Sequence, residues 1–332
     1  MNSLKQEHVL VTGAGGFIGS HLVEALVPVC SKVTALIHYD SRSDWGNLEF
    51  LPKEILDSVE VVGGDVTDPF FVQQLVRGKN LVFHLAALIA IPFSYLAPSA
   101  YFRTNVEGTL NILEACRRSD VRRLICTSTS ECYGTARTVP IDESHPLQAQ
   151  SPYSASKISA DKAAESYYCS FNLPVVTVRP FNTYGPRQSS RAVIPTIITQ
   201  TLSDSPVVRL GSLSPRRDLT YVTDTVSGFI AAAVSENPVH GEVVNLGVGQ
   251  SISIGELVEK VFTLTGIRKE IRCEDERVRP EKSEVMQLLS DNRKAQALLD
   301  WKPVMELEQG LLQTIRFIQE HAEFYKVEQY TI

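Results

Sequence analysis

The turn that follows the first apolar run constrains this chain more than any other feature. The segment VLVTGAGGFIGSHL carries Gly13, Gly16 and Gly19 in GxxGxxG spacing, between a β-branched stretch and a helical one. Only glycine lets backbone approach a pyrophosphate closely, and a helix starting there offers unpaired N–H groups and a favourable dipole. A tight βα turn that binds nothing shares the spacing, but the strand–turn–helix context points to a dinucleotide. The first half then alternates. Apolar runs at 8–13, 32–38, 59–66, 80–87, 122–130 and 174–180 read as strands, with helices at 19–28, 105–119 and 153–169. Continuous apolar strands separated by helices predict an α/β fold with a Rossmann-like, doubly wound parallel sheet. Such sheets are covered on both faces and hold ligands beyond the carboxyl ends of their strands.

After Pro180 the alternation loosens, and Pro, Ser, Thr and Arg crowd residues 180–218. DLTYVTDTVSGFIAAAV reads as a strand and helix returning to the sheet, and EVVNLGV as a further strand. SISIGELVEKV opens a helix with Ser253 and Glu256 spaced as a capping box. The expected organisation is a dinucleotide domain of residues 1–180 plus about 219–247. A smaller substrate domain, about 181–218 plus 248–332, is interleaved with it. A length of 332 residues suits two such intimately joined units.

The net charge of −6 leaves no basic footprint for nucleic acid. Nothing approaches the ~18 unbroken apolar residues of a membrane span. The polar start, Met1 to His8, runs straight into the first strand and does not read as a secretory leader. Cys30, Cys116, Cys126, Cys132, Cys169 and Cys273 are scattered without a CxxC pair, which suits a reducing cytoplasm. No metal site is expected.

Tyr153 and Lys157 form YxxxK at the start of a helix, where residues four apart share a face. An ammonium beside a phenol lowers the tyrosine pKa, as a base for an alcohol proton requires. The position that ends the second strand, where an acidic residue usually meets the adenosine ribose, holds Ile37 or His38. Asp40 beyond it suits ribose hydroxyls and Arg42 suits a 2′-phosphate, so NAD and NADP are both compatible. Asp65 and Val66 are placed to meet the adenine edge, and GDVTDP reads equally as a surface turn. His84, inside an apolar strand, reads as a satisfied core histidine.

TGAGGFIG, HLAA, STSECYG, YSASK and RPFNTYGPR occur in the order and spacing of extended short-chain dehydrogenase/reductases, and the likeness covers nearly the whole chain. DWGNLEFLP and HLAALIAIPFSY resemble a narrower subgroup, the nucleotide-sugar 4,6-dehydratases acting on N-acetylglucosamine nucleotides for legionaminic-type sugars. The resemblance implies that Thr129, Tyr153 and Lys157 are the catalytic hydroxyl, base and lysine. It implies that Gly13, Gly16, Phe17, Ile18, Gly19, His38, Asp40, Arg42, Asp65 and Val66 line an NAD or NADP site. Leu85, Ala86, Ala87, Asn105, Thr127, Tyr153, Lys157 and Pro180 complete that site. Asn182, Arg217 and Arg279 are implied to hold the substrate diphosphate, with Arg191 and Val193 also in the substrate site and Val193 near the nucleobase. Family members of this type pair as homodimers through the helices near 105–118 and 153–169.

Glu131 separates the candidate reactions. A 4-epimerase of this type oxidises and reduces one carbon and usually has a small residue at that point. A 4,6-dehydratase must also strip the C5 proton, which a neighbouring C4 ketone acidifies, and a carboxylate is the right type of base. Related enzymes acting on deoxythymidine-diphosphoglucose carry Thr-Asp-Glu, with the aspartate protonating the leaving hydroxyl. Here Thr129-Ser130-Glu131 leaves two routes: Ser130 relays a proton, or Glu131 delivers the one it took, and the second is favoured. An epimerase or uronate decarboxylase shares Tyr153 and Lys157 but gives Glu131 no task. A non-enzymatic dinucleotide sensor would have no reason to keep both.

Overall fold

A computed structural model describes residues 4–325. Its central sheet begins with β1 (His8–Thr12), β2 (Lys32–His38), β3 (Val59–Gly64), β4 (Leu81–His84), β5 (Arg123–Thr127) and β6 (Val175–Pro180). The short strands β7 (Asn182–Tyr184), β8 (Val207–Leu210), β9 (Arg216–Arg217) and β10 (Leu219–Tyr221) follow. Then come β11 (Val243–Leu246), β12 (Ile252–Ser253) and β13 (Glu270–Cys273). The large sheet has seven strands in the order β11-β6-β5-β4-β1-β2-β3, and every pairing is parallel. This is the doubly wound, Rossmann-like sheet that the sequence predicts. The order reverses between β1 and β4, and a crevice opens at such a reversal.

Side-chain alternation explains why the strands read as unbroken apolar runs. Val9 and Val11 of β1 join one core with Val33, Ala35 and Phe83, packed under the helices Phe17–Leu26 and Val222–Val234. Leu10, Leu36, Val82 and Leu124 face the opposite core with Ile112, Leu113 and Ala164. Both faces are dry, so both side-chain sets are apolar.

Several boundaries differ from the sequence expectation, each for a local reason. β5 stops at Thr127, because Thr129 turns into an N-cap. Its Oγ1 accepts the Glu131 N–H at 3.3 Å and starts a 3-10 turn over Ser130–Tyr133. The helix near 153 runs Pro152–Phe171, opened by a capping box between Ser151 and Ser154 and closed by Asn172 in the left-handed region. The predicted 105–119 helix is α-helical only over Gly108–Arg118, behind a π turn at Arg103–Glu107. β10 does not return to the large sheet; it pairs with β7 instead. It is β11 that returns, beside β6. The Ser253–Glu256 capping box forms as the spacing predicts, with bonds of 2.8 and 3.1 Å.

Among the described residues no helix is long and apolar enough to cross a membrane, and no group of His, Cys, Asp and Glu could hold a metal ion.

Candidate active site

The crevice between β1 and β4 is built for close backbone approach. Gly13 ends β1 at φ +69°, and a Cβ there would lie 2.8 Å from the Ala86 nitrogen. A Cβ on Gly19 would meet the Gly13 carbonyl at 2.2 Å, so helix and strand touch directly. Gly16 is the N-cap of the Phe17–Leu26 helix and supplies no side-chain hydrogen bond, which leaves the first N–H groups of Phe17 and Ile18 open to an anion. Across the crevice, the Thr12 hydroxyl accepts the Leu85 and Ala86 N–H groups, both at 3.1 Å, and fixes the strand end leading to Ala87.

His84 lies behind this wall. Its Nδ1 is 2.9 Å from Thr12 Oγ1 and its Nε2 is 3.1 Å from Thr109 Oγ1. The Thr109 hydroxyl donates to the Asn105 carbonyl, so it accepts from His84, which places the imidazole proton on Nε2. Burial, helped by Lys157, lowers its pKa to about 3 and keeps the ring neutral. His84 is a core histidine, and it ties the crevice wall to the helix carrying Asn105.

The expected ribose and adenine residues stand at the ends of β2 and β3. Asp40 Oδ1 accepts the Arg42 N–H at 2.6 Å, with the Arg42 guanidinium exposed 3.6 Å away, so the two share one turn. His38 is exposed. Asp65 closes its own turn by accepting the Thr67 N–H at 2.8 Å, while Val66 is buried against Gly108. The loop after β2 folds back onto the glycine turn, where Asn47 N–H donates to the Gly15 carbonyl at 2.9 Å. Asn105 is fully buried, and its amide is engaged by Leu88 and Ser156. It bears on the crevice through those partners.

Tyr153 and Lys157 project from one face of the Pro152–Phe171 helix and are both buried. The Lys157 ammonium donates to the Thr127 carbonyl at 2.5 Å; burial lowers its pKa and Asp161 opposes. The Thr127 hydroxyl is buried without a partner at the end of β5. Pro180 holds the equivalent place on β6. Tyr153 departs from expectation. Its pKa stands above the ordinary phenol value, chiefly through burial, with the Thr129 hydroxyl opposing and Cys132, Glu131 and Tyr101 reinforcing. In this dry pocket desolvation is the largest contribution, and the Glu131 carboxylate adds to it.

Thr129, Ser130 and Glu131 hang from the turn beyond β5. Ser130 is 3% exposed, and the Glu131 side chain is 12% exposed with its Oε1 3.7 Å from Arg279 Nη1. Arg217 and Arg279 converge from the second half of the chain on Glu284, at 3.2 and 3.8 Å. Asn182 opens β7, and its Oδ1 is buried without a partner, as suits a group awaiting a polar ligand. Arg191 stands apart: it is exposed, and its charge bears on Tyr101, lowering a phenol pKa that burial raises. Val193 starts the helix Val193–Leu202 and packs against the main core.

Three partners escaped the sequence reading. Asp161 follows Lys157 by four residues on the same helix face, and forms a buried ion pair with Arg179 at 2.6 Å while accepting the Ser128 hydroxyl at 2.6 Å. The Arg179 guanidinium lies 4.7 Å from the Tyr133 ring centroid. Glu284 left no spacing signal, although it sits in the same RVRPEKSEV segment as Arg279.

The family model described as GDP-mannose 4,6 dehydratase matches residues 10–314. This chain belongs to that family. Within it, a dTDP-glucose 4,6-dehydratase of Streptomyces griseus is 33% identical over 96% of each chain. A UDP-N-acetylglucosamine 4-epimerase of Methanobrevibacter ruminantium, solved with UDP-N-acetylmuramic acid, superposes with a TM-score of 0.86 at 30% identity, covering 96% of this chain and 99% of that one. A dTDP-glucose 4,6-dehydratase of Streptomyces venezuelae, solved with NAD, gives a TM-score of 0.85 at 27% identity over 96% and 98% of the two chains. The dehydratase-family site thus has relatives named for two outcomes, dehydration and epimerisation.

Proposed function

We propose that this family member is a nucleotide-sugar 4,6-dehydratase acting on UDP-N-acetylglucosamine or a closely related N-acetylglucosamine nucleotide. The observation that carries the reading is Glu131, an almost buried carboxylate on the turn that also presents Thr129, close enough to Tyr153 to raise its pKa. The open helix start at Gly16, the Gly13 cradle and the unpartnered Thr127 hydroxyl fit a nicotinamide dinucleotide, and NAD is the form assigned. A nicotinamide held there would supply the hydride acceptor for C4 and the hydride donor for C6.

The chain's own residues do the proton work. Tyr153, with Thr129 beside it, takes the C4 hydroxyl proton. Ketone formation acidifies C5, whose proton Glu131 removes. Glu131 then gives that proton to the departing C6 oxygen as water leaves, with the hydroxyl of Ser130 adjoining, and a solvent-derived proton returns to C5 through Glu131 to complete the product. Arg217, Arg279 and Asn182 hold the diphosphate, with Arg191 and Val193 toward the remainder of the substrate. The fork geometry of arginine suits the phosphates. The reading assigns retention at C5. The proposed dinucleotide unit is residues 1–180 plus about 219–247 and the substrate unit about 181–218 plus 248–332, of which the structure describes 4–325. Two copies pair through the Gly108–Arg118 and Pro152–Phe171 helices, which leave Leu110, Tyr168 and Phe171 exposed.

A panel of nucleotide sugars with product mass as the readout tests this: loss of one water identifies the dehydratase. In deuterated water the wild type places one solvent deuterium at C5. In Glu131→Gln, C4 oxidation survives while dehydration falls by about 10²–10⁴ and reduced nicotinamide accumulates. An unshortened sugar inverted at C4 makes the protein an epimerase. Near-normal dehydration by the variant removes Glu131 as the base.

A further inference from the structure

The charges around Glu131 are arranged unevenly. Glu284 Oε1 accepts Arg217 Nη2 at 3.2 Å and the Val285 N–H at 3.1 Å, so this carboxylate is fixed. Arg217 is fixed in turn, its Nη1 donating to the Arg216 carbonyl at 3.0 Å. Arg279 is not. Its Nη1 is buried without a hydrogen bond, 3.7 Å from Glu131 and 3.8 Å from Glu284. The segment that carries it is tied at two points, by Tyr95 Oη to Ser283 Oγ at 2.7 Å and by Gln150 Nε2 to the Lys282 carbonyl at 2.9 Å.

We propose that Glu284 is a positioning residue for the reaction: it holds Arg279 midway and so keeps that guanidinium from hydrogen-bonding Glu131. The inference rests on Glu131 being the C5 base. An arginine in direct contact stabilises a carboxylate's charged form and weakens it as a proton acceptor. Arg279, proposed above to meet the substrate diphosphate, already faces Glu131 at 3.7 Å, and a second carboxylate at 3.8 Å is what keeps that loose pair from tightening into a direct hydrogen-bonded contact. The other groups whose charge bears on Glu131 are Tyr153 and Arg217, with Cys132 next to it on its own turn. Arg217 and Arg279 also repel each other, and Glu284 is the counter-charge they share.

Glu284→Gln keeps the shape and removes the charge. The expected result is a drop of about tenfold or more in solvent-deuterium incorporation at C5, with C4 oxidation changed less than about threefold in a single turnover. The acid limb of kcat against pH moves to lower pH, because a base paired to arginine sheds its proton more readily. Glu284→Asp restores part of the exchange. In Glu284→Gln/Arg279→Gln the competing cation is gone, and C5 exchange recovers relative to Glu284→Gln while KM for the nucleotide sugar rises. If Glu284→Gln raises only KM and leaves C5 exchange and the acid limb in place, Glu284 merely supports phosphate binding and the proposal fails. It fails equally if removing Arg279 gives no recovery. A wild type that dehydrates nothing and exchanges nothing at C5 removes the base assignment itself, a result distinct from either.

Discussion

Replacing Asp161 by Asn tests whether the Ser130–Tyr133 turn hangs from a buried ion pair. Asp161 Oδ2 is 2.6 Å from Arg179 Nη2 and 2.6 Å from Ser128 Oγ, and the two charged side chains are 7% and 2% exposed. The amide keeps the volume and removes the charge, leaving Arg179 buried against Tyr133 without a counter-ion. Breaking a buried pair from one side costs roughly 3–5 kcal/mol. With an unfolding entropy near 2.1 cal/mol/K per residue, a chain of 332 residues then melts about 4–7 °C lower. Thermal and urea unfolding measure this directly. The pair double variant, Asp161→Leu with Arg179→Met, leaves no uncompensated charge and is expected to regain most of the loss. A single variant within about 1 kcal/mol of wild type, or a double variant no better than the single, would refute the argument.

Gly13→Ala puts a methyl group 2.8 Å from the Ala86 backbone at φ +69°, so the variant is expected to fold poorly or to lose bound nucleotide, checked by the nucleotide released from denatured protein. Acidification is expected to destabilise the wild type through two imidazoles, the buried His84 held at about 3 and the half-buried His21 at about 4, mainly by desolvation, against the usual 6.5. Their folded pKa values are depressed, so the stability they allow is complete above pH ~6.5 and is lost as pH falls toward 3–4, about 2 kcal/mol each by pH 5. Denaturation at pH 7 and pH 5 measures the difference, and His84→Gln should flatten it by its share.

What the sequence reveals is what short-range chemistry dictates. β1, β2 and β6 are legible because β-branched residues on both sheet faces are buried, and the capping box at Ser253 because its two partners lie three residues apart. Gly13 and Gly19 are legible because no other residue fits their backbone environment. The rest depends on partners distant along the chain. Arg217 meets Glu284 across 67 residues, and no local pattern marks such a pair. DLTYV has the alternation of any strand, but nothing in it specifies pairing with β7 instead of the large sheet. Tyr153 illustrates a different limit. The spacing to Lys157 is visible in the sequence, whereas the desolvation that raises the phenol pKa comes from walls supplied by Tyr101 and the 88–95 segment.

The return of β11 to the edge of the large sheet has a consequence for any attempt to cut the molecule. Val243–Leu246 pairs along β6, and Asn245 on it accepts the Tyr133 hydroxyl at 2.8 Å, at the end of the turn that carries Glu131. Residues 1–180 alone would carry the glycine turn, Glu131, Tyr153 and Lys157, yet β6 would end that fragment as a long apolar strand with a bare row of backbone donors and acceptors. Such an edge recruits other chains. The first half is therefore not a transplantable cofactor module: it needs a strand made more than sixty residues later before it is safe in solution. During synthesis the nascent sheet must wait, unsealed, until that strand emerges.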